Sequence, residues 1–178
     1  MKTNILLIGM PGTGKSTLGK LLAEKKALQF VDVDAMIDAN AGLPTQEILD
    51  SLGDDGYGKL EANALDSIQG DGLVIATGGS AIYQKPAILR LKLTSLVIHL
   101  HAKADTLLLR IKDYDQRAIV RAKTLNFTDL YAERMPLYVA ATDIDFDTDQ
   151  AGMSVEAAVK QLIALVDESL EFSWKANA

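Results

Sequence analysis

The chain has 178 residues, enough for one domain with a substantial buried core. Hydrophobic residues make up 48% of it and charged residues 24%, a globular balance that excludes long disordered stretches. The net charge of −6 disfavours a nucleic-acid partner, and the absence of cysteine excludes disulfides and thiolate metal sites.

The first predicted element is a strand at 5–8, formed by the run Ile-Leu-Leu-Ile. This run is too short to cross a membrane, and no signal-peptide cleavage region accompanies it. We therefore expect a cytoplasmic protein without a membrane partner, and we expect it to be a monomer.

Short apolar runs alternate with helical patterns along the rest of the chain, which predicts βα units and a parallel sheet. The predicted strands after the first are 29–33, 73–77, 95–100 and 144–146. The predicted helices are 15–26, 35–40, 45–52, 59–69, 86–92, 103–113 and 155–170, with a turn-rich segment at 53–58 and Ser154 as the N-cap of the last helix. Together they predict one domain over 1–178, a three-layer α/β/α sandwich with a five-stranded parallel sheet.

The segment 114–126 differs from its neighbours. It is polar and charged, it contains Arg117, Arg121 and Lys123, and its apolar pattern is weak. A surface loop would account for this composition. Because the segment lies between a strand–helix unit and the next helix, we expect it to act as a mobile lid.

A glycine-rich segment, Gly-Met-Pro-Gly-Thr-Gly-Lys-Ser at 9–16, connects the first strand to the first helix. This is the P-loop pattern in the strand–turn–helix context that confirms it. Glycines let backbone N–H groups converge on phosphate, and the helix N-terminus adds its positive dipole. Lys15 is expected to reach the β- and γ-phosphates of ATP, and Ser16 to offer its hydroxyl to Mg²⁺. The candidate nucleotide-binding residues here are Gly12, Thr13, Gly14, Lys15, Ser16 and Thr17.

Polar and flexible residues end the second and third predicted strands. Asp32 and Asp34 follow the second strand, and Thr77-Gly78-Gly79 ends the third. The carboxyl ends of parallel strands line the ligand crevice, so both aspartates should face the P-loop side. One could hold a metal-bound water and the other could orient or deprotonate a hydroxyl. A helix cap at Ala35 and a plain turn at the glycines are the simpler interpretations.

These motifs, in this order, resemble the shikimate kinase family within the nucleoside-monophosphate-kinase-like P-loop proteins. Further segments agree: Gly-Asp-Asp-Gly-Tyr at 53–57 resembles the family's Gly-Glu-x-Gly-Phe, and Glu61 matches the glutamate that follows it. Arg-Ala-Ile-Val at 117–120 resembles the lid motif Arg-Pro-Leu-Leu, and Arg-Met-Pro-Leu-Tyr at 134–138 resembles Arg-x-Pro-Leu-Tyr. The resemblance covers nearly the whole chain.

The resemblance implies a role for individual side chains. Asp32 would help to hold magnesium, and Asp34 would contact the acceptor hydroxyl and act as its base. Arg117 would close over the phosphates as a third catalytic residue beside Lys15 and Asp34. Arg110 would lie along the adenine and Arg134 would bind the substrate carboxylate, near Gly78, Gly79 and Ser80.

The chain departs from the family pattern at several positions around the acceptor. Gly58 stands where the family has an arginine that pairs with the later arginine on the shikimate carboxylate. Ser80 replaces a third glycine, and Ala118 replaces the lid proline. Lys59 is adjacent to Gly58, but we expect it to point elsewhere on its helix, and it cannot reproduce a planar guanidinium.

The sequence therefore predicts transfer of the ATP γ-phosphoryl group to a hydroxyl of a small metabolite, with shikimate as the first candidate. A relative that acts on another hydroxylated acceptor is the first alternative. A nucleotide-binding regulator without turnover is the second, and Asp34 argues against it because a binder needs no carboxylate on the acceptor side. A kinase with a nucleotide acceptor is disfavoured by the short acceptor region.

Overall fold

The computed structural model describes residues 1–111, 119–121, 124–169 and 172. Within these residues five parallel strands form one sheet in the order β2-β3-β1-β4-β5. The strands are β1 (Asn4–Ile8), β2 (Gln29–Asp32), β3 (Leu73–Ala76), β4 (Ser95–His101) and β5 (Ile144–Asp147). The helices are α1 (Lys15–Lys26), α2 (Val33–Ala41), α3 (Thr45–Ser67), α4 (Lys85–Lys92), α5 (Ala104–Arg110), α6 (Phe127–Ala141) and α7 (Val155–Glu168).

Helices cover both faces of the sheet, which confirms the predicted three-layer α/β/α sandwich. The central strand β1 is buried along its whole length, as expected for a parallel strand covered on both sides. On one face Ile5 and Leu7 pack with Leu22 of α1 and Leu162 of α7. The opposite face carries a second apolar core, formed by the alternate residues of β1 and by α2 to α6.

Sequence prediction placed a turn-rich segment at 53–58, and the structure confirms a break there but not its length. The helix that begins at Thr45 is interrupted by a kink at Gly53 (φ 65°, ψ −177°), and residues 54–58, expected as a turn, are helical. The burial of Tyr57 and Glu61 on one side of the helix holds the segment in place, and it outweighs the low helix propensity of the glycines. The consequence is that Gly58 and Glu61 lie on one continuous helix beside the sheet.

Other boundaries differ by a few residues. The third strand ends at Ala76 rather than at residue 77, and α2 begins at Val33 rather than at residue 35. The helix expected over 103–113 ends at Arg110. The expected lid at 114–126 lies only partly within the described residues, and Arg117 lies outside them. The predicted cap of the last helix is confirmed, since Ser154 Oγ accepts a hydrogen bond from Ala157 N at 3.2 Å.

Across the part of the chain that the structure describes, no helix combines the length and the apolar character that a membrane crossing needs.

Candidate active site

The glycine-rich segment forms a tight loop between β1 and α1. Gly9, Gly12 and Gly14 all have positive φ angles, of 143°, 84° and 91°, which side chains other than glycine rarely adopt. A Cβ on Gly9 would lie 2.2 Å from Leu100 O, so β4 passes too close to allow any side chain. The backbone therefore curls as a phosphate-binding loop requires, with the N-terminus of α1 at its end.

The side chains of the loop divide into an inner and an outer set. Lys15 is nearly buried, and its Nζ donates to Gly9 O at 2.8 Å and to Met10 O at 2.9 Å. Thr13 is buried as well, and its hydroxyl donates to Met10 O at 2.9 Å. Ser16 and Thr17 are exposed on the first turn of α1, where their hydroxyls are open to a ligand.

A cleft of about 500 Å³ opens above this loop. It brings together most of the side chains that the sequence predicted for the site, from both its nucleotide side and its acceptor side. The predicted site residues that line it are Gly12, Gly14, Lys15, Ser16, Thr17, Asp34, Gly78, Gly79, Ser80, Arg110 and Arg134. One cavity thus connects a phosphate loop to a separate set of charged groups.

Asp34 lies in the first turn of α2, where the helix dipole favours an anion. The hydroxyl of Tyr57 donates to its Oδ1 at 3.2 Å. One face of the carboxylate is open to the cleft and the other is enclosed. Desolvation is the main reason that its pKa is raised, the positive charge of Lys15 opposes this effect, and the negative charge of Asp32 adds to it. A carboxylate with a raised pKa is a stronger base toward a hydroxyl.

The two glycines after β3 pass between charged side chains. A Cβ on Gly78 would lie 2.6 Å from Asp34 Oδ1 and 2.8 Å from Glu61 Oε1. A Cβ on Gly79 would lie 2.8 Å from Pro11 Cδ and 3.0 Å from Arg134 Nη1. The absence of side chains here allows the two carboxylates and the guanidinium to surround the same short stretch of backbone.

Arg134, on α6, is fixed inside the protein with only 1% of its surface exposed. Its Nε donates to the hydroxyl of Tyr83 at 3.2 Å, and its Nη2 donates to Val120 O at 3.1 Å. Its guanidinium also lies 5.1 Å from the centre of the Tyr83 ring. With Nε and Nη2 engaged within the protein, Nη1 is the donor closest to Gly79 and the cleft.

Arg110, which the resemblance places along the adenine, also borders the cleft. It ends α5, and it donates to Oγ1 and O of Thr148 at 3.1 Å and 2.8 Å. The end of α5 packs against the phosphate loop, since a Cβ on Gly12 would lie 3.0 Å from Ile111 Cγ1. This position is compatible with a stacking role beside the base of a nucleotide.

Asp32 stands apart from the residues that line the cleft. Its Oδ1 accepts a hydrogen bond from Ala35 N at 3.2 Å, so it caps α2 as the simpler interpretation of the sequence expected. It is still close enough to Asp34 to raise the pKa of that carboxyl. The cap and a metal-directed role are compatible, because a carboxylate has several acceptor positions.

Glu61 is a site residue to which sequence reasoning assigned no role. It is fully buried, its Oε1 accepts from Ser80 Oγ at 2.8 Å, and its Oε2 has no hydrogen-bond partner in the described structure. Burial raises its pKa to about 7, although Ser80, Gln84 and the charge of Arg134 oppose the shift. The only signal in the sequence was its match to the family glutamate. Tyr57 and Tyr83 were missed as well, because an aromatic residue alone does not indicate which charged group it supports.

Comparison with known proteins places this geometry in context. A family model described as shikimate kinase matches residues 11–167. A shikimate kinase of Geobacter sulfurreducens is 36% identical over 167 residues, which cover 93% of this chain and 91% of that protein. The structure of a shikimate kinase from Acinetobacter baumannii in complex with shikimate has a TM-score of 0.82 and 30% identity, and it covers 96% of both chains. The shikimate kinase of Aquifex aeolicus has a TM-score of 0.79 at 27% identity, covering 92% of this chain and 96% of that one.

The parallel sheet, the phosphate loop and the acidic group across the cleft define a P-loop small-molecule kinase, an enzyme that moves a phosphoryl group from ATP to a hydroxyl. With the match over residues 11–167 and relatives above 30% identity, the chain belongs to the shikimate kinase family.

The raised pKa of the buried Glu61 predicts how the stability of the protein depends on pH. Because its pKa rises from 4.5 to about 7 on folding, the fold favours the protonated form, and this contribution is lost as the pH rises from about 4.5 to above 7. Between pH 5 and pH 7.5 we expect the free energy of unfolding of Glu61→Gln to fall less than that of wild type. The difference should reach up to about 3 kcal/mol, because each pH unit between the two pKa values contributes ~1.4 kcal/mol. Urea unfolding at both pH values measures the difference.

The control for this prediction is Glu24→Gln, which removes one carboxylate from the exposed face of α1. It should retain the pH dependence of wild type. Parallel stability curves for wild type and Glu61→Gln would contradict the assignment of a raised pKa to Glu61.

Proposed function

We propose that the protein transfers the γ-phosphoryl group of ATP to a hydroxyl of shikimate. The observation that carries the proposal is one cleft with Lys15 of a phosphate loop at one end and Asp34 and Arg134 at the other. The family and the shikimate complex of the Acinetobacter relative support the choice of acceptor. We also propose that it acts in the cytoplasm as a monomer. Its acidic composition supports the further proposal that it has no nucleic-acid partner.

On the nucleotide side, the backbone N–H groups of Gly12, Thr13 and Gly14 surround the phosphates. Lys15 leaves the carbonyls that its Nζ now contacts and binds the β- and γ-phosphates. Thr17 adds a hydroxyl from the first turn of α1, and Arg110 lies along the base. We propose that Arg117, which lies outside the described residues, adds positive charge over the transferred group as the negative charge there increases.

Magnesium fits the donors that the structure provides. Ser16, on the first turn of α1, and Asp32, at the end of β2, offer hard oxygen atoms, and Mg²⁺ prefers few protein ligands together with phosphate oxygens and water. When bound, the ion supplies neutralisation of charge on the β- and γ-phosphates.

On the acceptor side, Asp34 orients the attacking hydroxyl and accepts its proton. The hydroxyl oxygen forms the new bond to the γ-phosphorus, and the bond between that phosphorus and the bridging oxygen of ADP breaks. Gly78 and Gly79 allow the acceptor to approach the backbone, while Ser80 borders the space beside it. Arg134 presents Nη1 to the acceptor carboxylate, already oriented by Tyr83 and Val120.

Steady-state kinetics with ATP and shikimate test the choice of acceptor. We expect saturable production of ADP that depends on shikimate, with a KM in the micromolar to millimolar range of typical enzymes. Other hydroxylated acids, tested at equal concentration, should react more slowly. If shikimate gives no turnover while another hydroxylated acid does, the protein is a family member with a different acceptor.

Substitution of Lys15 tests the nucleotide half separately. We expect Lys15→Ala to weaken binding of Mg-ATP or to abolish turnover, because it removes the cation that contacts the phosphates. Calorimetry with Mg-ATP measures the affinity, and Lys20→Ala, an exposed lysine of the same helix, is the matched control. Equal affinity and equal turnover in wild type and Lys15→Ala would contradict the phosphate assignment.

Substitution of Asp34 tests the acceptor half. Asp34→Asn preserves the shape of the side chain but removes its charge and most of its basicity. We expect kcat with shikimate to fall by about 10²- to 10⁴-fold, the usual contribution of a positioned base, while the affinity for Mg-ATP changes little. Asp66→Asn, at an exposed carboxylate paired with Arg90, should leave kcat unchanged. Near-normal turnover of Asp34→Asn would exclude the proposed role.

A further inference from the structure

A second cavity, of about 380 Å³, adjoins the acceptor end of the cleft. The two cavities share the side chains of Ser80 and Val120 in their walls. Gly58 borders the second cavity, and in the described structure the atom nearest to the position of a Cβ there is Gln84 Nε2, at 3.2 Å. Glu61 borders the same space and carries the buried oxygen Oε2 that has no partner in the described structure. The acceptor end of the cleft is thus continuous with a polar space, in which the side-chain amide of Gln84 packs against Gly58.

Arg121 places a guanidinium at the edge of this space. Its Nη1 donates to Glu133 Oε1 at 2.6 Å, and that oxygen also accepts from the hydroxyl of Tyr83 at 2.7 Å. The same hydroxyl accepts from Nε of Arg134. The guanidinium carbons of Arg121 and Arg134 lie 6.0 Å and 5.1 Å from the centre of the Tyr83 ring. One tyrosine and one glutamate therefore connect the two guanidiniums.

The backbone of Arg121 is held by a second element. Its N–H donates to Asp54 Oδ2 at 3.1 Å, directly after the break of α3 at Gly53. Its φ of 68° is in the left-handed region that side chains other than glycine rarely adopt. Its side chain is 41% exposed, so the guanidinium, which has five donors, retains access to a ligand.

The charges around the second cavity decide what it can hold. Asp54, Asp55 and Glu61 border it, with Lys59 and Arg121 as the basic side chains. Lys59 is exposed and borders this space. An anion near these three acidic groups needs a cation in direct contact, and a planar guanidinium can bind both oxygens of a carboxylate where an ammonium acts as a point charge.

We propose that Arg121 supplies the second guanidinium for the carboxylate of the acceptor, opposite Arg134, and is therefore a specificity-determining residue. The carboxylate lies where the two cavities meet, beside Ser80 and Val120. Arg134 contributes Nη1 from the buried side, and Arg121 contributes donors other than the one that Glu133 occupies. This proposal rests on the proposed function, because it takes its acceptor carboxylate from shikimate.

The test compares shikimate with its methyl ester, which keeps the hydroxyls and removes the negative charge. We expect Arg121→Ala to raise the KM for shikimate by about tenfold to a hundredfold, the range for loss of one partner from a partly exposed charged contact. The KM for ATP should stay the same. Wild type should prefer the acid over the ester, and in Arg121→Ala this preference should be smaller by the same factor. Arg121→Lys should show a preference between those of wild type and Arg121→Ala.

Lys59→Ala is the matched control, since it removes one positive charge from the same cavity. It should leave the acid-over-ester preference unchanged. An unchanged preference in Arg121→Ala, or an equal loss in Lys59→Ala, would overturn the role of Arg121. Failure of wild type to bind or phosphorylate shikimate would instead overturn the proposed acceptor, and with it this proposal, so the two failures are distinguished by the wild-type assay alone.

Discussion

The site depends on one close approach, the passage of the backbone at 77–79 between the phosphate loop and the charged groups of the helices. Thr77 fixes the start of this stretch, since its N–H and hydroxyl both donate to Leu7 O of β1. Tyr138 fixes its end, with a 2.6 Å hydrogen bond from its hydroxyl to Gly79 O. Between these anchors Gly78 and Gly79 have no side chains to keep Asp34, Glu61 and Arg134 apart from the backbone.

This arrangement concentrates charge where little water is present, and the protein offsets the cost in two different ways. Arg134 remains a buried cation because a hydroxyl, a carbonyl and an aromatic ring satisfy it. Glu61 lacks such a set of partners, and its pKa rises accordingly to about 7. Glu61 is fully buried and does not line the cleft, so of these two carboxyl groups Asp34 is the one with direct access to it.

The sequence predicted the parts of the fold and of the site that depend on local patterns. The strands are short apolar runs, and the phosphate loop needs glycines and a lysine at fixed spacing, so both were found and the sheet was confirmed. The kink of α3 at Gly53 agrees with the prediction, but the helical conformation of 54–58 was missed because the glycines at 56 and 58 suggest a turn, whereas the burial of Tyr57 and Glu61 holds these residues in a helix. The roles of Glu61 and Arg121 depend on contacts with α6 and with the segment 80–84. Spacing along the chain does not reveal such contacts.

Arg121 is held by two elements of the fold, by α3 through Asp54 and by α6 through Glu133. Any contact between Arg121 and an acceptor carboxylate therefore depends on how residues 119–121 pack against both helices. Because Val120 O also accepts a hydrogen bond from Arg134, the same three residues help to orient the guanidinium of Arg134 as well. Under the proposed role of Arg121, recognition of the acceptor anion would depend on the placement of one short segment between α3 and α6.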